Sequence, residues 1–94
     1  MTTCNIIKVD FFLSRYNNNK MEKSLTEKFA KKVKLLRFKR GLSQEELSDI
    51  AHISRGVMGQ IERAEISTTL YRVEKIANAF NIPVTKLFDF SDID

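Results

Sequence analysis

The sequence predicts an all-α fold of five short helices, and three observations carry that expectation. Apolar residues recur at three- and four-residue intervals from Leu25 to Phe88, the period of a helix with one buried face. Ser or Thr precedes four of these runs, at Ser24, Ser43, Ser54 and Thr69, where a hydroxyl can accept the first free backbone N–H groups. Short connections separate the runs and carry Gly41, Asn81 and Pro83, residues suited to stopping one helix or starting the next. A chain of 94 residues reads as one domain. A domain of that size buries only roughly 60–65% of its unfolded surface, so all five helices must share one core.

Residues 1–20 read as an N-terminal extension. In Asn5 to Leu13, Ile7, Val9, Phe11 and Leu13 alternate with Ile6, Lys8, Asp10 and Phe12, which is compatible with a strand. A lone strand cannot satisfy its own backbone, so it pairs with a copy of itself, packs on the domain, or is disordered. A fourth reading takes Met21 as the natural start. Lys8 and Asp10 interrupt the run, which lacks the unbroken core of a signal peptide and is far too short to span a bilayer. Asn17-Asn18-Asn19-Lys20 reads as a linker.

The domain proper is expected over residues 21–90, with 91–94 as an acidic tail. Ser24 and Glu27 form a capping box, which places a first helix from about Leu25 to Arg40, stopped at Gly41. Phe29, Val33 and Leu36 make its core stripe, with Leu25 and Ala30 beside it; Lys28, Lys31, Lys32, Lys34 and Lys39 cover the rest. Ser43 and Glu46 form a second box, so a helix starts at Gln44 with Leu47, Ile50 and Ala51 apolar. Ser54 caps a third from Arg55. Thr69 caps a fourth over Leu70 to Phe80, with Leu70, Val73, Ala77 and Phe80 at helical spacing and Ile76 flanking. Asn81 suits the left-handed position after it. Pro83 fits the start of a short fifth helix, with Val84, Leu87 and Phe88 apolar.

The third helix carries the functional signal. Val57, Met58 and Ile61 lie on one side at about 100° per residue; Arg55, Gly56, Gly59, Gln60 and Arg63 fall on the other. A polar face is ordinarily just the solvated side of a helix. Glycine inside a helix costs about 1 kcal/mol relative to Ala, however, and Gly59 gives a place where another surface can approach closely. The short turn between two capped helices is helix-turn-helix spacing.

The run from Phe29 to Phe88 resembles the helix-turn-helix DNA-binding domain of the phage repressor and Cro type (lambda repressor-like, XRE family). The matching pieces are Arg37 and Arg40-Gly41-Leu42-Ser43-Gln44-Glu45-Glu46-Leu47, Ile53-Ser54-Arg55, Ile61-Glu62-Arg63, Lys75-Ile76-Ala77-Asn78-Ala79-Phe80 and Leu87-Phe88. The chain is also similar to the small controller proteins of restriction-modification systems. The resemblance implies a compact five-helix fold, a pairing of Arg37 with Glu62, backbone anchoring by Gln44, and a dimer contact on the fifth helix at Val84, Leu87, Phe88 and Phe90. In that family the loop after the third helix is commonly Gly followed by basic residues that touch phosphate. Here it is Ala64-Glu65-Ile66, which leaves Ser67, Thr68, Thr69 or Arg72 to substitute.

Docking such a helix in the major groove assigns base readout to Arg55, Gly56, Val57, Gly59 and Gln60. Arg55 suits guanine and Gln60 suits adenine by paired hydrogen bonds. Val57 either meets a thymine methyl or packs beneath the helix. Gln44, Ser54, Arg63 and Thr68 are the phosphate candidates, because helix N-termini and their polar side chains suit phosphate oxygens.

Charge distribution agrees with a polyanion partner. Residues 21–40 hold eight Lys or Arg against two Glu, while Asp89, Asp92 and Asp94 make the end acidic and should lie away from DNA. Cys4 is the single cysteine, so no internal disulfide forms and a reducing compartment is the simple reading. With one Cys and one His, His52 in the turn, neither a zinc constellation nor a catalytic set can be assembled. These residues point to a sequence-specific regulator of transcription, bacterial or phage-encoded and cytoplasmic. With the resemblance, the expectation is binding to double-stranded DNA as a homodimer on a palindrome, with no cofactor, metal, membrane or small-molecule substrate. The alternative is an antitoxin-like protein-interaction module on the same fold.

Overall fold

Four helices of this domain end in the same way on four different residues. Gly41, His52, Ala64 and Asn81 each take the left-handed conformation, with φ of 67°, 60°, 59° and 59°. In each case the next residue's N–H reaches back to a carbonyl five positions earlier: Leu42 to Arg37, Ile53 to Ser48, Glu65 to Gln60 and Ile82 to Ala77, at 2.9–3.1 Å. This double-backed ending satisfies carbonyls that the helix leaves open and turns the chain sharply. Gly41 and Asn81 fit that role by residue type. His52 and Ala64 carry a Cβ and take the same conformation at a steric cost.

The structure is a computed structural model that describes residues 24–93. Among them lie five helices and no strand: α1 (Leu25–Lys39), α2 (Gln44–Ala51), α3 (Arg55–Glu62), α4 (Leu70–Phe80) and α5 (Val84–Leu87). The strand expected over Ile6 to Leu13, the start at Met21, Cys4 and Asp94 lie outside the described residues.

Helix starts follow the sequence. The Ser24 and Ser43 hydroxyls accept from the N–H groups of Glu27 and Glu46, whose carboxylates accept in return from the two serines' own N–H groups. Ser54 and Thr69 accept from Val57 and Arg72. Each such cap contributes about 1 kcal/mol. Pro83 stands as the residue before α5, in extended conformation and without a side-chain cap.

The core joins Phe29 and Val33 of α1, Leu47 and Ala51 of α2, Met58 and Ile61 of α3, Val73, Ile76, Ala77 and Phe80 of α4, and Leu87 of α5. Helix α2 packs against α3 and α4, α1 against α3 and α5, and α4 against α5. Ile50 and Leu70, expected on core stripes, and Leu25, expected beside one, are exposed instead, at 49%, 82% and 60%. Leu25 and Leu70 are the first residues of their helices, and side chains there lean toward the N-terminus, past the neighbouring helix. Helix α2 buries the arc of Leu47, Ser48 and Ala51, and Ile50 lies outside it. Ser48 enters this arc because its hydroxyl donates to the Gln44 carbonyl at 2.8 Å.

Lys32, expected among the exposed lysines, is buried at 6%. Its ammonium donates to both carboxylate oxygens of Asp92 at 2.9 Å, and Lys39 stands 3.7 Å from the same carboxylate. The acidic end therefore folds back on α1. A buried charge is tolerated when paired and hydrogen-bonded, and burial of Lys32 depends on this partner.

Candidate nucleic-acid interface

The platform beneath the candidate interface is ionic. Arg37 Nε and Nη2 donate to Glu62 Oε2 and Oε1 at 2.8 and 2.9 Å, and Arg37 Nη1 donates to the Leu42 carbonyl at 3.1 Å. Gln44 Nε2 donates to the same Glu62 Oε1 at 3.1 Å. The end of α1, the first residue of α2 and the last of α3 thus meet at one carboxylate, and Arg37 also ties in the loop before α2. The Glu62 side chain is 2% exposed and that of Arg37 is 11% exposed. The planar guanidinium matches the carboxylate with two parallel bonds, which fixes direction as well as distance. The angle between α2 and α3 is fixed by this cluster together with the apolar contacts.

Arg55 and Gly56 stand exposed at the start of α3, and Val57 and Gln60 are half-buried. Val57 packs against the core. Arg55 does not project alone. Its guanidinium lies 3.4 Å from Glu45 and 3.7 Å from Asp49, one turn apart on α2. All three side chains remain exposed, so the pairing orients the arginine without withdrawing it from solvent.

Gly59 is not on the bare outer face. It is buried, and a Cβ there would stand 2.9 Å from Arg63 Nη1 and 3.4 Å from Gln44 Oε1. The close approach that glycine permits at this position is made by the chain's own Gln44 and Arg63. The reason is the α2–α3 crossing, which brings the start of α2 over the last turn of α3.

The phosphate candidates separate. Ser54 is exposed at the N-terminus of α3, its hydroxyl engaged by the Val57 N–H. Gln44 keeps a half-exposed position, with one amide N–H committed to Glu62. Arg63 is exposed and held by Glu65 through Nε at 2.7 Å and Nη2 at 3.2 Å. That hydrogen bond holds the Glu65 carboxyl below its ordinary range and raises the Arg63 guanidinium further. Thr68 is half-buried, and its hydroxyl oxygen is covered, without a hydrogen-bond partner, beside an apolar groove. The loop of residues 64–69 turns it inward.

A shallow cleft of about 510 Å³ runs beside the start of α3, lined by His52, Ser54, Val57, Tyr71, Arg72 and Lys75 among others. Lys75 Nζ donates to the His52 carbonyl at 2.9 Å and sits 4.5 Å from the centre of the Tyr71 ring. Tyr71 and Lys75 stand beside the candidate interface, although neither is a site candidate by residue pattern alone. The available signal was the cap at Thr69, which puts both residues in the opening turns of α4.

On the far end, Val84 is 39% exposed. Phe88 stacks on Phe29 at 5.4 Å between ring centres and meets Phe90 edge-on at 6.2 Å. Leu87, expected at a dimer contact, is fully buried within its own domain, because the single turn of α5 points it at the core. Among the described residues no helix is long and apolar enough to cross a membrane, and no group of His, Cys, Asp and Glu could hold a metal ion.

Comparison with known proteins bears on this geometry. A helix-turn-helix family (HTH_3) matches residues 33–87. The chain is 41% identical over 51 residues to the HTH-type transcriptional regulator SutR of Escherichia coli (strain K12), covering 54% of this chain but only 29% of that protein. Among solved structures it is similar to the restriction-modification controller protein C.AhdI from Aeromonas hydrophila. The TM-score is 0.64 and the identity 32%, over 66% of this chain and 94% of the controller. An HTH_3 family transcriptional regulator from Vibrio cholerae aligns with a TM-score of 0.68 and 31% identity, over 71% of this chain and 38% of its own.

Proposed function

We propose, from the premise that this chain belongs to the HTH_3 helix-turn-helix family, that it is a sequence-specific regulator of transcription acting on double-stranded DNA. Residues 21–90 form its DNA-binding domain, and it works in the cytoplasm at the nucleoid. The observation that carries the reading is the Arg37–Glu62–Gln44 cluster: it fixes α3 against α2 while leaving Arg55 and Gly56 exposed at the N-terminal end of α3. A helix so presented lies in the major groove with its first residues at base edges. Arg55 reads guanine, Gln60 reads adenine, and the bare backbone at Gly56 admits the groove wall. Ser54, Gln44 and Arg63 hold phosphates, joined by Arg72 and Tyr71 from the opening turn of α4.

One small domain makes few base contacts, so the protein acts as a homodimer on a palindrome with half-sites about 10 bp apart. Val84, Phe90 and the open edge of Phe88 form the contact. The relatives named as transcriptional regulators and the controller protein support this reading. The test is fluorescence anisotropy with the duplex upstream of the protein's own gene and a scrambled duplex, at several salt concentrations. Clear preference for the native duplex is expected, and equal affinity for the two at every salt concentration overturns the reading. Sedimentation showing only monomer at tens of micromolar overturns the dimer.

A further inference from the structure

One apolar groove of the domain lies outside the proposed DNA interface. It is about 160 Å³ in volume and runs between the start of α1, the loop of residues 64–69 and the start of α4, over the side chains of Leu25, Phe29, Ile66, Thr68, Leu70 and Val73. Its two rim leucines, Leu25 and Leu70, are 60% and 82% exposed, the latter the most exposed large apolar residue described. The buried Thr68 hydroxyl beside it has no hydrogen-bond partner. Isolated exposed leucines are common, but two of them flanking a cleft with an orphaned hydroxyl make a contiguous apolar site.

We propose that this groove is the seat of the chain's own segment Ile6 to Leu13, with Phe11 and Leu13 as anchors. The described chain begins at Ser24, directly beside the rim residue Leu25, so the preceding 23 residues enter the domain at the edge of the groove. Residues 14–23 between the anchors and that point span up to about 35 Å when extended, at about 3.3–3.6 Å per residue. The seat is therefore within reach without strain. The groove volume holds one or two large side chains rather than a whole helix, which suits an aromatic anchor. The alternation of Ile7, Val9, Phe11 and Leu13 gives the segment one apolar edge to lay on the rim leucines.

The full chain carries its own means of testing this, because Cys4 is its single cysteine. In a Cys4→Ser background, Ser14→Cys accepts a nitroxide next to the anchors, and methyl signals are followed by nuclear magnetic resonance with the label active and reduced. The expected result is loss of the Leu25, Leu70 and Val73 methyl signals while those of Ile50 and Val57, which do not line the groove, persist. Adding Phe11→Ser and Leu13→Ser should restore the lost signals. Groove methyls untouched by the nitroxide overturn the proposal, as does loss that survives the two serine substitutions. A mixture of labelled chains with isotope-enriched, nitroxide-free chains separates the remaining case: signal loss there assigns the groove to a second copy and overturns seating by the chain's own segment.

Discussion

Arg37 and Glu62 stand 25 positions apart and meet through two parallel hydrogen bonds of 2.8 and 2.9 Å, both side chains nearly withdrawn from water. Removing one member leaves the other charge buried and unpaired. Glu62→Ala should therefore cost about 3–5 kcal/mol, read by urea unfolding. Glu62→Gln keeps shape and part of the hydrogen bonding and should cost less. A melting temperature unmoved by Glu62→Ala would remove the pair from the structural account.

Ala64 is in the left-handed conformation at φ 59°. A Cβ there costs about 1–2 kcal/mol, part of which glycine returns through its greater freedom in the unfolded chain. Ala64→Gly should stabilise the domain by about 1 kcal/mol in urea unfolding. A loss of stability would show that the Ala64 methyl contributes packing that outweighs the strain.

Gly59 lies under Arg63 and Gln44. Gly59→Ala meets only the mobile end of Arg63 at 2.9 Å and gains helix propensity of about 1 kcal/mol, so its melting temperature should hold or rise. Gly59→Leu must displace both side chains and should lower the melting temperature before DNA is added. Equal stability of Gly59→Leu and the parent would contradict the burial of this site.

Asp92 has its carboxyl held below its ordinary range, chiefly by the hydrogen bond from Lys32. The folded state therefore favours the charged form more than the unfolded chain does. The stabilisation is complete above the unfolded value, near about 3.9, and is lost as pH falls through the lower folded value. Asp92→Asn should lower the melting temperature at neutral pH and flatten its decline below about pH 4. Parallel melting curves for parent and variant across that window would count against the tie.

Glu65 shares the Arg63 guanidinium with any phosphate that approaches it. On the proposed function, Glu65→Gln should strengthen binding to native and scrambled duplex alike and steepen log affinity against log salt by about one unit per subunit. Arg55→Ala should instead cost about 1–3 kcal/mol on the native duplex and little on the scrambled one. The contrast is measured by anisotropy; equal losses on both duplexes for Arg55→Ala would place that residue on phosphate.

What the sequence made legible was local. Ser24 with Glu27, Ser43 with Glu46, and Asn81 carry their structural roles within four residues, and the helices begin and end where those signals stand. Relationships across the chain were harder to read. Nothing near Lys32 announces that residue 92 will return to bury it. The burial of Gly59 depends on the α2–α3 crossing, which periodicity along one helix cannot express. Thr68 turned inward because its loop backbone, rather than its residue type, sets its direction. The candidate site was legible where exposure follows from helical angle, as at Arg55 and Gly56, and illegible where a neighbouring helix lies across it.

The tie between Lys32 and Asp92 also sets an order of events during synthesis. The two residues are 60 positions apart, which at about 5–20 residues per second separates their appearance by roughly 3–12 s. Throughout that interval α1 carries a lysine on the face that the finished domain buries, with no carboxylate to receive it. The first of the described helices is thus among the last to be completed, and a ribosome stalled before residue 92 holds a domain in which Lys32 still waits for its partner.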